Sequence, residues 1–235
     1  MITPAQRWRR GQLALKRLRN NELLSSSPQD KRAAECDIEL DRRMLSEQCE
    51  SLAQRAEMKR DILLPKWLPR VERYLAAGEV YPFLPLVMCT VWLFDVGELD
   101  QGIDYALLAI EQKQPMPENF SSSMGAFVAD TVRDWTEQEY AAGRSVEPYF
   151  SRVFGLVTES WQLHEDIVAR YYKLGARLAL RGSDGLQARP SAISNLDVLE
   201  RAQTLLQKAR DTSSKVGAGT LLNNVTARIR ALSRE

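Results

Sequence analysis

The stretch from residue 30 to residue 64 contains neither glycine nor proline, and it constrains the fold more than any other part of the chain. Its apolar residues recur at spacings of three, four and seven, which is the period of an α-helix. Asp30 is a suitable N-terminal capping residue. We therefore predict one long helix over residues 29–64.

The apolar residues of this helix form a narrow seam flanked by mixed charges, as in a coiled coil. Arg42 interrupts one of its two tracks. A narrow seam has to be covered, either by the rest of the same chain or by copies of this helix. We predict the second outcome and assign residues 29–64 as an oligomerisation helix. The residues assigned to the seam are Ile38, Leu45, Cys49, Leu52 and Ala56.

Residues 65–235 show successive helical patterns and no convincing strand pattern, so the predicted fold class is all-α. "VWLFDVGELDQGIDYALLAIE" has a tight turn between two helices, and "YKLGARLALRGSDG" with "LERAQTLLQKA" forms a second candidate pair. These hairpins are tetratricopeptide-like, although their spacing holds no strict period. Residues 65–235 are therefore predicted to be a body of stacked helical hairpins. The aromatic residues at its apolar positions are expected in the core.

The N-terminal segment carries a concentrated positive charge. Thr3, Pro4 and Gln6 form a capping box with proline at the first helical position, which predicts a helix. Residues 3–20 hold six Lys and Arg and no acid, so this helix could contact several phosphates. The alternative is a solvated tail. We assign residues 1–28 as a DNA-binding arm whose contacts are Arg7, Arg9, Arg10, Lys16, Arg17 and Arg19.

Motifs for catalysis and cofactors are weak. Three scattered cysteines favour neither a disulfide framework nor a zinc site, and His164 is the single histidine. No phosphate-binding loop of an ATPase is present. The acids between Asp95 and Glu111, with Lys113, resemble a nuclease pattern in letters only and are interpreted as an exposed hairpin. We expect no catalytic residue, no metal and no cofactor. The apolar run over residues 82–94 is too short to span a bilayer, so no membrane partner is expected.

Residues 63–180 resemble the small terminase subunit of temperate, contractile-tailed phages with cohesive DNA ends. The resemblance rests on "LLPKWLPRVERYLAAG", "VMCTVWLFDVGELDQGIDYALLAIEQKQPMP", "YYKLGARLALRGSDG" and "LERAQTLLQKA". The opening "MITPAQR" is similar to the start of the family's sequences. Relatives tend to end in a basic, proline-rich tail, whereas this chain ends in "RIRALSRE". The N-terminal arm would then supply most of the basic charge.

The resemblance implies a role in viral DNA packaging inside the host bacterial cytoplasm. It implies a homo-oligomeric ring that binds the packaging site on double-stranded DNA and stimulates a large ATPase subunit. The C-terminal helices would bind that large subunit. The family is often labelled the endonuclease subunit, but we expect the cleavage chemistry in the large subunit. Two alternatives remain, namely a helical-repeat adaptor without DNA affinity and a metal-dependent endonuclease.

Overall fold

The computed structural model describes residues 28–182 and 185–234, and the chain divides into two compact units, Met1–Met124 and Gly125–Glu235. Within the described residues, the regular structure is helical, and one isolated β-bridge joins Arg181 and Gln187. The all-α prediction is confirmed. No helix among these residues is long and apolar enough to cross a membrane. The coiled-coil and tetratricopeptide details of the prediction are not confirmed.

The first unit begins, in its described part, with a long helix and continues as a series of shorter ones. Its elements are α1 (Pro28–Gln48), α2 (Leu52–Met58), a π-helical turn (Lys59–Leu63), α3 (Leu64–Ala77), α4 (Leu84–Asp95) and α5 (Leu99–Glu111).

The long helix predicted over residues 29–64 is interrupted at residues 49–51. Ser51 starts α2 through a capping box: its hydroxyl accepts from the backbone N–H of Gln54, and the Gln54 side chain accepts from the Ser51 N–H. The sequence also predicts that Pro65 separates two helices. The chain instead continues through the π-helical turn, where the Leu64 N–H donates to the Lys59 carbonyl. This wider turn lets the helix pass Pro65, which has no N–H to donate.

The core of the first unit is built around α4, whose residues from Pro85 to Phe94 are all buried. A left-handed Gly97 follows α4 at φ 84°, and the Glu98 N–H donates to the Leu93 carbonyl, so a Schellman motif ends the helix. The chain then turns into α5, which packs on α4. A Cβ on Gly102 would lie 3.2 Å from the Phe94 ring, so this glycine permits the close approach. The tight turn predicted between two helices in this stretch is therefore observed.

The second unit contains five α-helices among the described residues. Its elements are α6 (Met124–Ala141), α7 (Tyr149–Gly155), a π-helical turn (Leu156–Ser160), α8 (Glu165–Ala179), a 3-10 turn (Pro190–Ala192), α9 (Leu196–Thr212), a 3-10 turn (Ser214–Val216) and α10 (Gly219–Leu232).

The core of the second unit lies between α8, α9 and α10. Small residues let the helices approach: Ala176, Ala202 and Ala209 are fully buried beside Leu199 and Leu206. His164 caps α8 by accepting from the Asp166 N–H. The predicted pairing of α8 with α9 is therefore observed. Five of the six aromatic residues predicted to be core are buried, namely Trp67, Phe83, Trp92, Phe94 and Tyr171, and Tyr172 is half-buried.

Candidate interaction surfaces

The predicted DNA-binding residues of the N-terminal arm lie outside the described residues. They are Arg7, Arg9, Arg10, Lys16, Arg17 and Arg19. Their assignment stays a prediction.

A buried network of charges fastens α1 to α3. The Asp41 carboxylate accepts hydrogen bonds from the Lys66 ammonium and from the Trp67 indole, each at 2.6 Å. One helical turn earlier, Asp37 accepts from Lys66 and from Arg70, each at 3.2 Å. The side chain of Asp41 is only 2% exposed, so this contact is part of the core. It determines which face of α1 is turned away from α3.

Arg70 also belongs to this network and lies over the Trp67 ring. Its guanidinium lies 4.6 Å from the ring centroid and its side chain is 8% exposed. Burial lowers the pKa of Arg70, while the charge and hydrogen bond of Asp37 oppose that shift. An arginine keeps its charge even when its pKa falls, so the carboxylate of Asp37 is needed to balance it.

The predicted oligomerisation seam does not form one continuous stripe. Ile38, Leu45 and Cys49 are buried inside the described chain itself, with exposures of 0%, 7% and 3%. Leu52 lies beyond the break and is 82% exposed, and Ala56 is half-buried. The first three residues therefore serve the intrachain core, which was the alternative left open by the sequence. Self-association through Leu52 and its neighbours stays a prediction.

A set of exposed apolar side chains replaces the predicted seam on the outside of this region. We call Leu40, Met44, Leu52 and Ile62 the outer apolar residues, and their exposures are 55%, 38%, 82% and 56%. Leu40 and Met44 are four residues apart on α1 and therefore adjacent on its surface. Sequence reasoning missed both because they lie outside the seven-residue tracks. Their spacing of four was the available indication.

The acidic hairpin between α4 and α5 lies on the surface. Asp95 is exposed and pairs with Lys59 at 2.7 Å, and Glu98 is also exposed. Across residues 28–182 and 185–234, no group of three or more His, Cys, Asp or Glu side chains is arranged to hold a metal ion.

A basic groove in the second unit was not predicted. We call it the α8 groove; its volume is about 370 Å³, and its walls come from α6, α8 and the turn after α9. The sequence does indicate a basic surface in this region, because residues 170–234 hold twelve Lys and Arg but only four Asp and Glu. The groove is lined by Arg133, Asp134, Glu137, Arg170, Lys173, Leu174, Arg177, Lys215 and Val216.

One acid at the edge of the α8 groove is held in its charged form. The Ser213 hydroxyl donates to Asp166 at 2.7 Å and lowers the pKa of that carboxyl; the charges of His164, Lys215 and Arg170 act in the same direction. Asp166 therefore stays ionised and faces two of the cations that line the groove.

Comparison with known proteins places this fold in a family. The family model described as phage small terminase subunit matches residues 36–166, which is more than half of the chain. The chain belongs to the phage small terminase subunit family. It is 39% identical over 182 residues to a protein of Haemophilus phage HP1 (strain HP1c1) named "Probable terminase, endonuclease subunit". That match covers 77% of this chain and 64% of the relative. No solved structure matches the chain.

The family match extends across the boundary between the two units. Residues 36–166 include most of α1, all of α2 to α7 and the first residues of α8. The resemblance predicted from the sequence over residues 63–180 is therefore confirmed as family membership. Because the chain spans less than two thirds of its phage HP1 relative, that relative's activity is not transferred as a finding.

Proposed function

We propose that this protein is the small subunit of a phage terminase and that it acts in viral DNA packaging in the host bacterial cytoplasm. In this role it self-associates into a ring, binds the packaging site on double-stranded DNA and recruits the large ATPase subunit. The observation that carries the proposal is the match of residues 36–166 to the small-subunit family. The chain itself supplies assembly and recognition, and the large subunit supplies ATP hydrolysis and DNA cleavage.

The outer apolar residues support the self-association step. All four lie within residues 40–62, between α1 and the π-helical turn after α2, and exposed apolar side chains that form one patch are typical of interaction sites. Contact with a second copy would bury these side chains, including Leu52, which is the most exposed of the four. Copies arranged in a ring would also multiply the affinity of a weak DNA-binding arm.

The N-terminal charge supports the DNA-binding step. Residues 1–27 contain six Lys and Arg and one Glu, whereas residues 28–124 contain eleven Lys and Arg and seventeen Asp and Glu. Phosphate contacts from such an arm would weaken steeply as salt is added, because each contact releases counterions. The C-terminal helices are the proposed contact with the large subunit.

Two measurements test this proposal. Native mass spectrometry of the full chain should give a single mass that is a whole multiple of the monomer mass. The double variant Leu40→Ser with Leu52→Ser should shift this mass towards that of the monomer. Leu196→Ser removes an exposed leucine of the second unit and is the matched control, expected to leave the mass unchanged. A monomer for the unmodified chain would contradict the assembly step.

DNA binding is tested by electrophoretic mobility shift with a double-stranded fragment at low salt. Replacing Arg7, Arg9 and Arg10 with Gln should weaken binding strongly. Replacing Arg32, Arg43 and Arg60, three exposed arginines of the first unit, removes the same charge and should have little effect. Absence of binding by the unmodified chain would favour the adaptor alternative.

The name of the HP1 relative favours one second candidate function, a nuclease activity in this chain. Incubating the purified chain with Mg²⁺ and double-stranded DNA tests it. We expect no cleavage until the large subunit is added. Cleavage by the chain alone that is lost in Asp100→Asn or Glu111→Gln would establish the second candidate instead.

A further inference from the structure

The exposed side of α8 carries a row of positive side chains. Arg170, Lys173 and Arg177 follow one another at spacings of three and four, so they lie on one face of the helix. Arg181 follows four residues later, directly after the helix end. At 1.5 Å per residue, Arg170 and Arg177 are separated by roughly 10 Å along the axis. Measured along the DNA axis, this distance corresponds to about three phosphate intervals of one strand.

Several of these cations are held in place by neutral partners, although Arg177 also has the carboxylate of Glu137 at 3.8 Å. The Lys173 ammonium donates to the Val216 carbonyl at 2.8 Å. The guanidinium groups of Arg177 and Arg181 each lie 4.9 Å from the centroid of the Tyr140 ring. A carbonyl and an aromatic face orient a positive charge without neutralising it. These side chains therefore lose little further freedom when they bind an anion.

Most acids in and near the α8 groove lie close to Arg133 and Arg177, and not to Arg170. Asp130 and Asp134 both pair with Arg133, at 2.6 and 2.7 Å, and so leave that part of the groove without excess positive charge. Glu137 lies 3.8 Å from Arg177. At the other end, Asp166 is the acid that faces the exposed cations Arg170 and Lys215, together with Lys173 in the groove wall. The excess positive charge of the groove is therefore at this end.

The lining of the groove favours a nucleic acid over a protein partner. Its apolar members are Leu174, which is 2% exposed, and the half-buried Val216. Protein interfaces are centred on accessible aromatic or aliphatic anchors, and the groove offers none of these. Arginine and lysine side chains around a concave surface are the groups that bind phosphates.

We propose that the α8 groove binds the phosphate backbone of double-stranded DNA, as a second contact in addition to the N-terminal arm. This inference rests on the proposed DNA-binding function and extends it to the second unit. Arg170 and Lys215 make the direct phosphate contacts, because both are exposed and neither is engaged by a hydrogen bond among the described residues. Lys173, in the groove wall, supplies a further fixed positive charge beside them.

The test compares two variants of the full chain that lose the same charge. The groove variant is Arg170→Gln with Lys215→Gln, and the control is Arg189→Gln with Arg230→Gln, two exposed arginines outside the groove. Fluorescence anisotropy with a labelled double-stranded DNA of random sequence is measured over a series of NaCl concentrations. Two lost phosphate contacts should reduce the slope of log K against log salt by about 2 per contacting protomer.

The control should keep the slope of the unmodified chain, and the charge-conserving variant Arg170→Lys with Lys215→Arg should keep it as well. If the groove variant has the same slope of log K against log salt as the control, the inference is wrong, while the proposed function is unaffected. A groove variant that binds DNA normally but loses its oligomeric mass assigns the groove to an acidic protein surface and also overturns it. Absence of DNA binding by the unmodified chain refutes the proposed function together with this inference.

Discussion

Replacing Asp41 with Ala tests whether the buried charge network holds α1 in place. The change removes the acceptor of the Trp67 indole, which is fully buried, and one partner of Lys66. An unsatisfied buried donor costs about 1–3 kcal/mol. Lys66 loses less, about 1 kcal/mol, because its side chain is 29% exposed and keeps Asp37 at 3.2 Å. The expected loss in the free energy of unfolding is therefore about 2–4 kcal/mol.

Urea denaturation followed by far-UV circular dichroism and tryptophan fluorescence measures this loss. Asp41→Asn is the informative companion, because an amide oxygen still accepts from the indole while the charge is gone. We expect it to recover about half of the loss, roughly 1–2 kcal/mol. Glu47→Ala removes an exposed acid from the same helix and should change stability by less than about 0.5 kcal/mol.

One outcome would contradict this reasoning. If Asp41→Ala and Glu47→Ala have the same stability, the network does not fasten α1. The exposure of Leu40 and Met44 would then no longer follow from the packing of α1 on α3. A double-mutant cycle with Trp67→Phe separates the indole hydrogen bond from the general effect of losing a buried carboxylate.

Two further changes test local features of each unit. Ser51→Ala removes the capping box of α2 and should cost about 1 kcal/mol in urea denaturation, whereas Ser46→Ala, an exposed interior position of α1, should not destabilise the chain. Burial raises the pKa of Tyr171, whose hydroxyl donates to the Ala129 carbonyl at 2.7 Å. Its contribution to stability is therefore complete below the unfolded pKa of about 10 and decreases above it. The stability advantage of the unmodified chain over Tyr171→Phe should accordingly shrink by about 1.4 kcal/mol per pH unit above pH 10, and a constant difference would contradict the burial argument.

Features that depend on nearby residues were predictable from the sequence. The apolar run of α4 indicates a helix buried on all sides, and Gly97 marks its end, because both signals act within one or two turns. The pairing of α8 with α9 was predicted from the two helical patterns on either side of the loop that contains Gly182 and Pro190. The cap at His164 was likewise visible beside two acids.

Features that depend on distant residues were not predictable in the same way. The seam of α1 and α2 has coiled-coil spacing, yet spacing alone does not say whether Ile38 packs on its own chain or on a copy. The answer depends on the pairing of Asp41 with Lys66, which are 25 residues apart in sequence. The break before α2 had a local sign, the Ser51 and Gln54 capping box, but an uninterrupted helical pattern on both sides outweighed it.

The distribution of charge gives the strongest link between this structure and a DNA-handling role. The formal net charge is +1, but it combines an acidic stretch over residues 28–169 with two basic stretches, 1–27 and 170–235. Charge that is only needed for solubility has no reason to separate along the chain in this way. Two basic stretches predict two additive terms in the salt dependence of DNA binding, one removed in the arm variant and one in the groove variant. If combining both sets of substitutions lowers the slope no further than the arm substitutions alone, a single basic surface accounts for DNA binding. The acidic stretch over residues 28–169 then lies in sequence between the arm and a basic C-terminal region with a different partner.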